Sequence, residues 1–406
     1  MAFDKNVFIF GAGASAGAGA PVLKDFLKRA RELYDNRNSG LSGDEREAFG
    51  SVFKWRGGIY PALRVLKIDL DNVEDLFSLV DMAWQPGDQE AGHIVHSLIK
   101  MVSRTLELVV KFRFDPVQLI QSGGDFDKHV SNDWAYRGFL EVLENWIGHR
   151  DAAATERDSF ITLNYDTIFD RTLRSLGRGF TYCHPDWLSG MDPESHKLLK
   201  LHGSVNWGKC PECGYKMAEM DFFGRGRNVP GSEFITMCAA AKLYQTDCPE
   251  CAKKGLTVNL RPFAVPPTWN KASYSADLTP VWQAAREELA KAARLIIVGY
   301  SLPRTDSFFK YLLALGLSKN ESLQEIILID PAGGDAGESL KNRYLDFIAP
   351  FFDTNNFTFW SVPFVAGSKA LEYRFIEPRC SKEEALEMAI DFVERNIAAS
   401  RSRPSR

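Results

Sequence analysis

The sequence lacks any long hydrophobic run: no apolar stretch approaches the ~20 residues of a membrane span, so no transmembrane segment is expected. No secretory signal peptide is expected either, because an apolar, strand-like run begins within six residues of Met1. Neither sign of charge dominates. Lys and Arg number 49 against 53 Asp and Glu, a net charge of −4, which predicts no electrostatic grip on nucleic acid or an anionic membrane. Histidine is scarce, and His93, His96, His129 and His149 have no partners at ligand spacing, so they read as structural. Cysteine is scarce and odd in number, 7 in all, with four in two Cys-x-x-Cys pairs. That usage speaks for a reducing cytoplasm and a metal rather than disulfides. There is no internal repeat.

What is present is enough chain for two to three compact units, with 45% hydrophobic and 25% charged residues, as in an ordinary globular protein. Asn6 to Ala20 organises the rest. Val7-Phe8-Ile9-Phe10 has the composition of a buried strand, and it breaks into Gly11-Ala12-Gly13-Ala14-Ser15. A strand feeding a glycine-rich turn and then a helix presents backbone N–H groups to a phosphate or pyrophosphate. The alternative is a turn that is tight for packing reasons only. Val22, Phe26, Leu27, Ala30, Leu33 and Tyr34 supply the apolar face of the following helix. No second strand ending in an acidic residue follows within ~20 positions, where a dehydrogenase keeps its ribose-binding carboxylate.

Arg37 to Gly58 is polar and glycine-containing and reads as a surface connection. From about Tyr60 to Gly148 the pattern is helical. One helix starts at Asn72, a longer one carries Ile94, Leu98, Met101, Val102, Leu106, Val109 and Phe112, and a third carries Trp134, Phe139, Leu140, Leu143, Trp146 and Ile147. Ser159 to Leu163 is the next buried strand and ends in Asn164-Tyr165-Asp166; Lys197 to Leu201 follows and ends in His202-Gly203-Ser204. Polar residues at the carboxyl ends of strands are placed for chemistry in open α/β sheets. The bland readings are an N-cap for the helix Thr167–Leu176 and a histidine satisfied by a backbone partner. As a chemical group, His202 is the natural general base near neutrality.

Cys210-Pro211-Glu212-Cys213 and Cys248-Pro249-Glu250-Cys251 are two knuckles whose thiolates suit a closed, tetrahedral, structural zinc site; an iron–sulfur cluster or redox pair is the alternative. Cys238, between the knuckles, is a candidate substitute ligand but lacks the spacing, and Cys183 and Cys380 look incidental. Asn259 to Pro267 returns the chain to the core. Arg294–Val298 and Glu325–Ile329 are parallel-type strands joined by a helix around Asp306–Leu315. They end in Gly299-Tyr300-Ser301-Leu302-Pro303 and in Asp330-Pro331, where Asp330 could accept both hydroxyls of a ribose. Phe357 to Val362 is a final strand, and Ser381-Lys382-Glu383-Glu384 is a capping box opening a C-terminal helix. The Arg- and Ser-rich end reads as disordered.

The order of these motifs resembles the sirtuin family: Gly11–Ser15, Asn164–Asp166, His202–Gly203, the four cysteines, Leu260–Pro262 and Gly299–Leu302. The resemblance spans roughly residues 6–25 and 158–331. It implies an α/β fold with a doubly wound parallel sheet, Rossmann-like and sirtuin-type, bearing a helical insertion and a zinc-knuckle module. The expected division is 1–50 and 153–207 as parts of the NAD-binding core, 51–152 as the insertion, 208–256 as the zinc module, 257–365 as the second half of the core, and 366–406 as a helix and tail. Departures from protein-deacylating sirtuins are specific. Gly19-Ala20-Pro21-Val22-Leu23-Lys24 replaces G-I-P-D-F-R, and Phe263-Ala264-Val265-Pro266-Pro267 replaces V-V-x-F-G, where a substrate peptide adds its strand. Thr162-Leu163-Asn164-Tyr165-Asp166 and Gly299-Tyr300-Ser301-Leu302-Pro303 look like the bacterial sirtuin-like branch that hydrolyses NAD in antiphage defence.

That resemblance implies roles. Gly11, Ala12, Gly13 and Ser15 would hold the pyrophosphate, and Gly299, Ser301 and Asp330 the adenosine half. Asn164 would orient ribose and water, Asp166 the carboxamide or the developing charge, and His202 the ribose hydroxyls. NAD is then substrate, and zinc is structural, on Cys210, Cys213, Cys248 and Cys251. A homo-oligomer and a separately encoded helicase-like ATPase partner are the family-level expectations.

Overall fold

The computed structural model describes residues 5–66, 69, 71–84, 89–114, 130–131, 134–148, 158–185, 195–221, 234–265, 272–303, 306–376 and 380–401. Pro266, Pro267, His129, His149 and residues 402–406 lie outside them.

Strand β1 (Asn6–Phe10) leads into a short helix, α1 (Ala12–Ala16), and then α2 (Leu23–Asp35), α3 (Gly43–Leu66), α4 (Val73–Trp84) and α5 (Gln89–Val109). Strands β2 (Lys111–Phe114) and β3 (Val130–Ser131) precede α6 (Trp134–Gly148), and β4 (Ser159–Thr162), α7 (Ile168–Ser175), β5 (Phe180–Thr181) and β6 (His196–Lys200) follow. The cysteine module comprises β7 (Gly203–Lys209), β8 (Lys216–Ala218), β9 (Phe234–Thr236), α8 (Ala239–Leu243) and α9 (Pro249–Ala252). The chain returns through β10 (Arg261–Ala264), α10 (Ala272–Lys291), β11 (Arg294–Val298), α11 (Ser307–Leu317), β12 (Glu325–Ile329) and α12 (Gly334–Ile348). It ends with β13 (Phe357–Trp360), α13 (Phe364–Ile376) and α14 (Lys382–Arg401).

Seven strands form one parallel sheet in the order β13-β12-β11-β1-β4-β6-β5. β1 lies between β11 and β4 with every residue buried, which is why its sequence is a continuous apolar run rather than an alternating one. The starts of β1 and β4 are pinned together: the backbone and side-chain amides of Asn6 both donate to Asp158 Oδ1, at 3.0 and 2.9 Å. From β1 the chain builds outward to β4 and β6 on one side, and later to β11, β12 and β13 on the other. The main core wraps this sheet, and α6 joins it through Phe139, whose ring meets Phe8 edge-on at 4.9 Å. A second apolar cluster is built from α2, α3, α4 and α5, where Phe26, Phe49, Leu76 and Leu98 are buried together.

Three expectations change. The segment expected to be a connection, residues 37–58, is largely α3, opened by a capping box in which Ser42 N donates to Glu45 Oε2 at 2.8 Å and Glu45 N to Ser42 Oγ at 3.3 Å. Phe112, placed by periodicity on the long helix, sits instead on β2, after α5 ends at Val109. Helix α1 interposes between the glycine turn and α2.

Candidate active site at the switch point of the sheet

Where strand order reverses around β1, the loops leaving β1 and its neighbours diverge and leave a crevice at the carboxyl ends of the strands. A cleft of about 890 Å³, counted with the solvent space at its mouth, occupies this place. The structure brings Ala12, Ser15, Asn164, Asp166, His202, Gly299 and Ser301 to its walls. Asp330 stands at the same end of β12, with Oδ1 accepting from Ala332 N at 2.9 Å, but does not line this cleft.

The glycine turn differs from the expected cradle of bare N–H groups. Gly11 N donates to Val298 O and Gly13 N to Gly299 O, both at 2.9 Å. A Cβ on Gly11 would stand 2.5 Å from Gly299 O, and one on Gly299, whose φ is +61°, 2.4 Å from Ala14 N. The glycines therefore let the β1 and β11 loops pack backbone against backbone, and the wall of the cleft falls to Ala12 and Ser15.

Asn164 leaves β4 and crosses to this turn. Its Nδ2 donates to Gly11 O at 2.9 Å and to Ser15 Oγ at 3.1 Å, and Ser15 Oγ lies 3.0 Å from Tyr136 OH. Both amide hydrogens are thus committed and Oδ1 is the atom left for a ligand. Asp166 does what an N-terminal helix residue does, accepting Ile168 N at 3.0 Å, while also lining the cleft. Burial holds its carboxyl above the usual carboxylate range, against the opposing pull of Lys200, the Ile168 N–H and Ser15. His202 follows β6, its imidazole buried and 6.0 Å, centroid to centroid, from the ring of Tyr165.

Several residues at or beneath the site had no role in the sequence reading. Lys200, fully buried on β6, donates to Asp166 O at 2.6 Å and pairs with Asp170 at 3.1 Å. Tyr182 OH donates to the same Asp170 at 2.6 Å, and Asn206 Nδ2 reaches Tyr182 OH at 3.2 Å. Tyr165 OH donates to Val265 O at 2.6 Å. Glu74 and Asp306 line the cleft, and Asp306 accepts from Tyr300 OH at 2.8 Å. Glu74 had a local signal, an acidic residue opening a helix; Tyr136 and Lys200 had none, since only the fold brings them here.

In the module after β7, Sγ atoms of Cys210, Cys213, Cys248 and Cys251 lie within 4.8 Å of one another. Cys210 and Cys251 are 3.7 Å apart and Cys213 and Cys248 3.5 Å, close to the about 3.8 Å edge of a tetrahedron with 2.3 Å zinc–sulfur bonds. Donor set and size both fit zinc. Cys238 lies outside this set.

The family model described as SIR2-like domain matches residues 158–217, a stretch that holds β4, Asn164, Asp166, His202, Cys210 and Cys213. No curated protein matches the chain. Among solved structures, a complex of a Sir2 homologue mutant with 2'-O-acetyl ADP-ribose has a TM-score of 0.43 at 14% identity, over 92% of each chain. A Sir2 homologue–NAD complex has a TM-score of 0.43 at 15% identity, over 93% of this chain and 91% of that one. Neither likeness reaches the level at which a shared function follows. What stands on sequence is a SIR2-like domain match across residues 158–217, the stretch that carries the polar strand ends of the cleft.

Proposed function

We propose that the protein is an NAD hydrolase that releases nicotinamide and ADP-ribose. One observation carries this reading: Asn164, Asp166 and His202, all within the SIR2-like match, converge with Ala12, Ser15, Gly299 and Ser301 on a single cleft at the sheet's switch point. Breaking the bond from ribose to nicotinamide leaves its electron pair on the nicotinamide nitrogen and positive character on the ribose. The leaving group is already cationic and needs no acid, so the protein's task is positioning and charge stabilisation. Asn164 Oδ1 orients a ribose hydroxyl or the attacking water. The Asp166 oxygen not held by Ile168 N opposes the developing charge, and His202 takes the proton as water adds.

Hydrolysis is favoured over peptide deacylation by Val265. Its N–H donates to His202 O at 2.7 Å and its C=O accepts from Tyr165 OH, so neither backbone group of Val265 is left to pair with an added peptide strand. The four cysteines would hold a structural zinc. An effector role in bacterial antiphage defence, in the cytoplasm and with a homo-oligomer or a helicase-like ATPase partner, is supported by the resemblance of Thr162–Asp166 and Gly299–Pro303 to that branch.

The test is nicotinamide release from NAD by the purified protein, with and without an acetyl-lysine peptide. Release without peptide is expected. Release that requires peptide, with an acylated ADP-ribose as product, overturns the proposal in favour of a deacylase, and saturable NAD binding without turnover overturns it in favour of a sensor.

A further inference from the structure

We propose that a second cleft, between α5 and the cysteine module, binds a nucleotide: an aromatic base with anionic phosphates. It opens to about 1390 Å³ with its solvent mouth included, and Trp84, His96, Lys100, Lys209, Tyr244 and Arg261 line it. None of its lining residues belongs to the cleft at the switch point. The protein as a whole carries a net charge of −4, yet two lysines, an arginine and a histidine gather here.

Ion pairing leaves part of that charge uncompensated. Lys209 is paired with Asp277 at 2.5 Å. Lys100 and Arg261 make no ion pair with a carboxylate among the described residues, and the Lys100 ammonium lies 4.8 Å over the Tyr244 ring. The carboxylates of the adjoining recess are Asp44, exposed at its rim, and Glu45, committed to Arg104 at 2.7 Å. Partial burial, then Arg261 and His93, push the His96 imidazole below its usual range, which favours its neutral form. Phosphate oxygens suit the two free cations. For the base there is Trp84, 40% exposed, with its ring 6.5 Å from that of His96. A peptide carboxylate would satisfy the cations but leave this ring face open.

The site also has a route to the other cleft. Helix α5 places His96 and Lys100 on one, and Val102 and Leu106 on the other, about half a turn to three turns further along. Nucleotide bound at α5 would bear directly on the wall of the first cleft.

Calorimetric titration of the full-length, zinc-loaded protein with ATP tests the proposal, with inorganic tripolyphosphate titrated in parallel. One ATP per chain is expected, in the millimolar range or tighter, weakening as salt rises. Lys100→Glu and Arg261→Glu should each weaken binding at least tenfold, Trp84→Ala about tenfold, and Ser301→Glu, in the first cleft, not at all. No saturable ATP binding overturns the proposal. So does ATP binding that Ser301→Glu removes, which assigns it to the adenosine half of the first cleft, or tripolyphosphate binding as tightly as ATP, which leaves the base no role. Because the salt dependence and the tripolyphosphate comparison use the unaltered protein, they decide the matter even if a variant fails to fold.

Discussion

Asn164 is held at two points by its amide nitrogen and offers only its oxygen, so Asn164→Ala removes both the anchor to Gly11 and the group facing the substrate. We expect turnover of NAD to fall by about 10²–10³, the cost of one lost positioning group. Zinc content should hold and the protein should stay folded, melting a few degrees lower for the lost anchor; unchanged turnover in such a protein would remove Asn164 from the mechanism. Asp166 makes a prediction of the opposite kind. Its carboxyl is raised in the folded chain chiefly by burial, so the folded state holds that proton more tightly than the unfolded one. Ionising it therefore costs stability as pH rises from the ordinary value of 3.8 through the raised one. Asp166→Asn keeps an acceptor for Ile168 N and escapes that cost. It should melt higher than the parent near neutral pH, with the gap closing in acid, while nicotinamide release is lost. A lower melting temperature at neutral pH would show that the carboxylate is a net stabiliser. Asn164, Asp166 and His202 were legible because they follow apolar strands directly. Lys200 was not: in Lys197-Leu198-Leu199-Lys200-Leu201 a buried ammonium looks like a solvent-facing one until Asp170 is brought to it from α7.

Among elements, the parallel strands were readable because burial on both faces turns each into an apolar run, as in β1, β11 and β12. Helix α3 was obscured by four glycines and by charge, although Ser42 and Glu45 had the spacing of its capping box. It stands because Phe49 and Val52 bury against α5. Helix α5 in turn ties to the cysteine module through Glu107, whose carboxylate takes Ala240 N at 2.6 Å and Ala241 N at 3.3 Å and pairs with the buried Arg104. Glu107→Ala leaves Arg104 and two backbone donors short of an acceptor, with only Glu45 remaining to the arginine. A loss of about 3–5 kcal/mol in denaturant unfolding is expected. A loss under about 1 kcal/mol would mean that water or a neighbour replaces the carboxylate.

For the molecule as a whole, the motif resemblance carries an expectation of self-association. Light scattering behind size-exclusion chromatography, with NAD present, should give a mass above that of one 45.6 kDa chain. A monomer at every concentration would count against it. The central place of β1 has a further consequence, for biosynthesis. Asn6 lies opposite Arg294, and the glycine turn of β1 closes on Gly299. During synthesis β1 must therefore wait for β11, far along the chain, before its second neighbour exists, a strongly non-local pairing. Translation products that stop short of β11 lack Gly299 and Ser301, one whole wall of the cleft, so whatever chemistry the cleft performs waits on synthesis of the chain's last third.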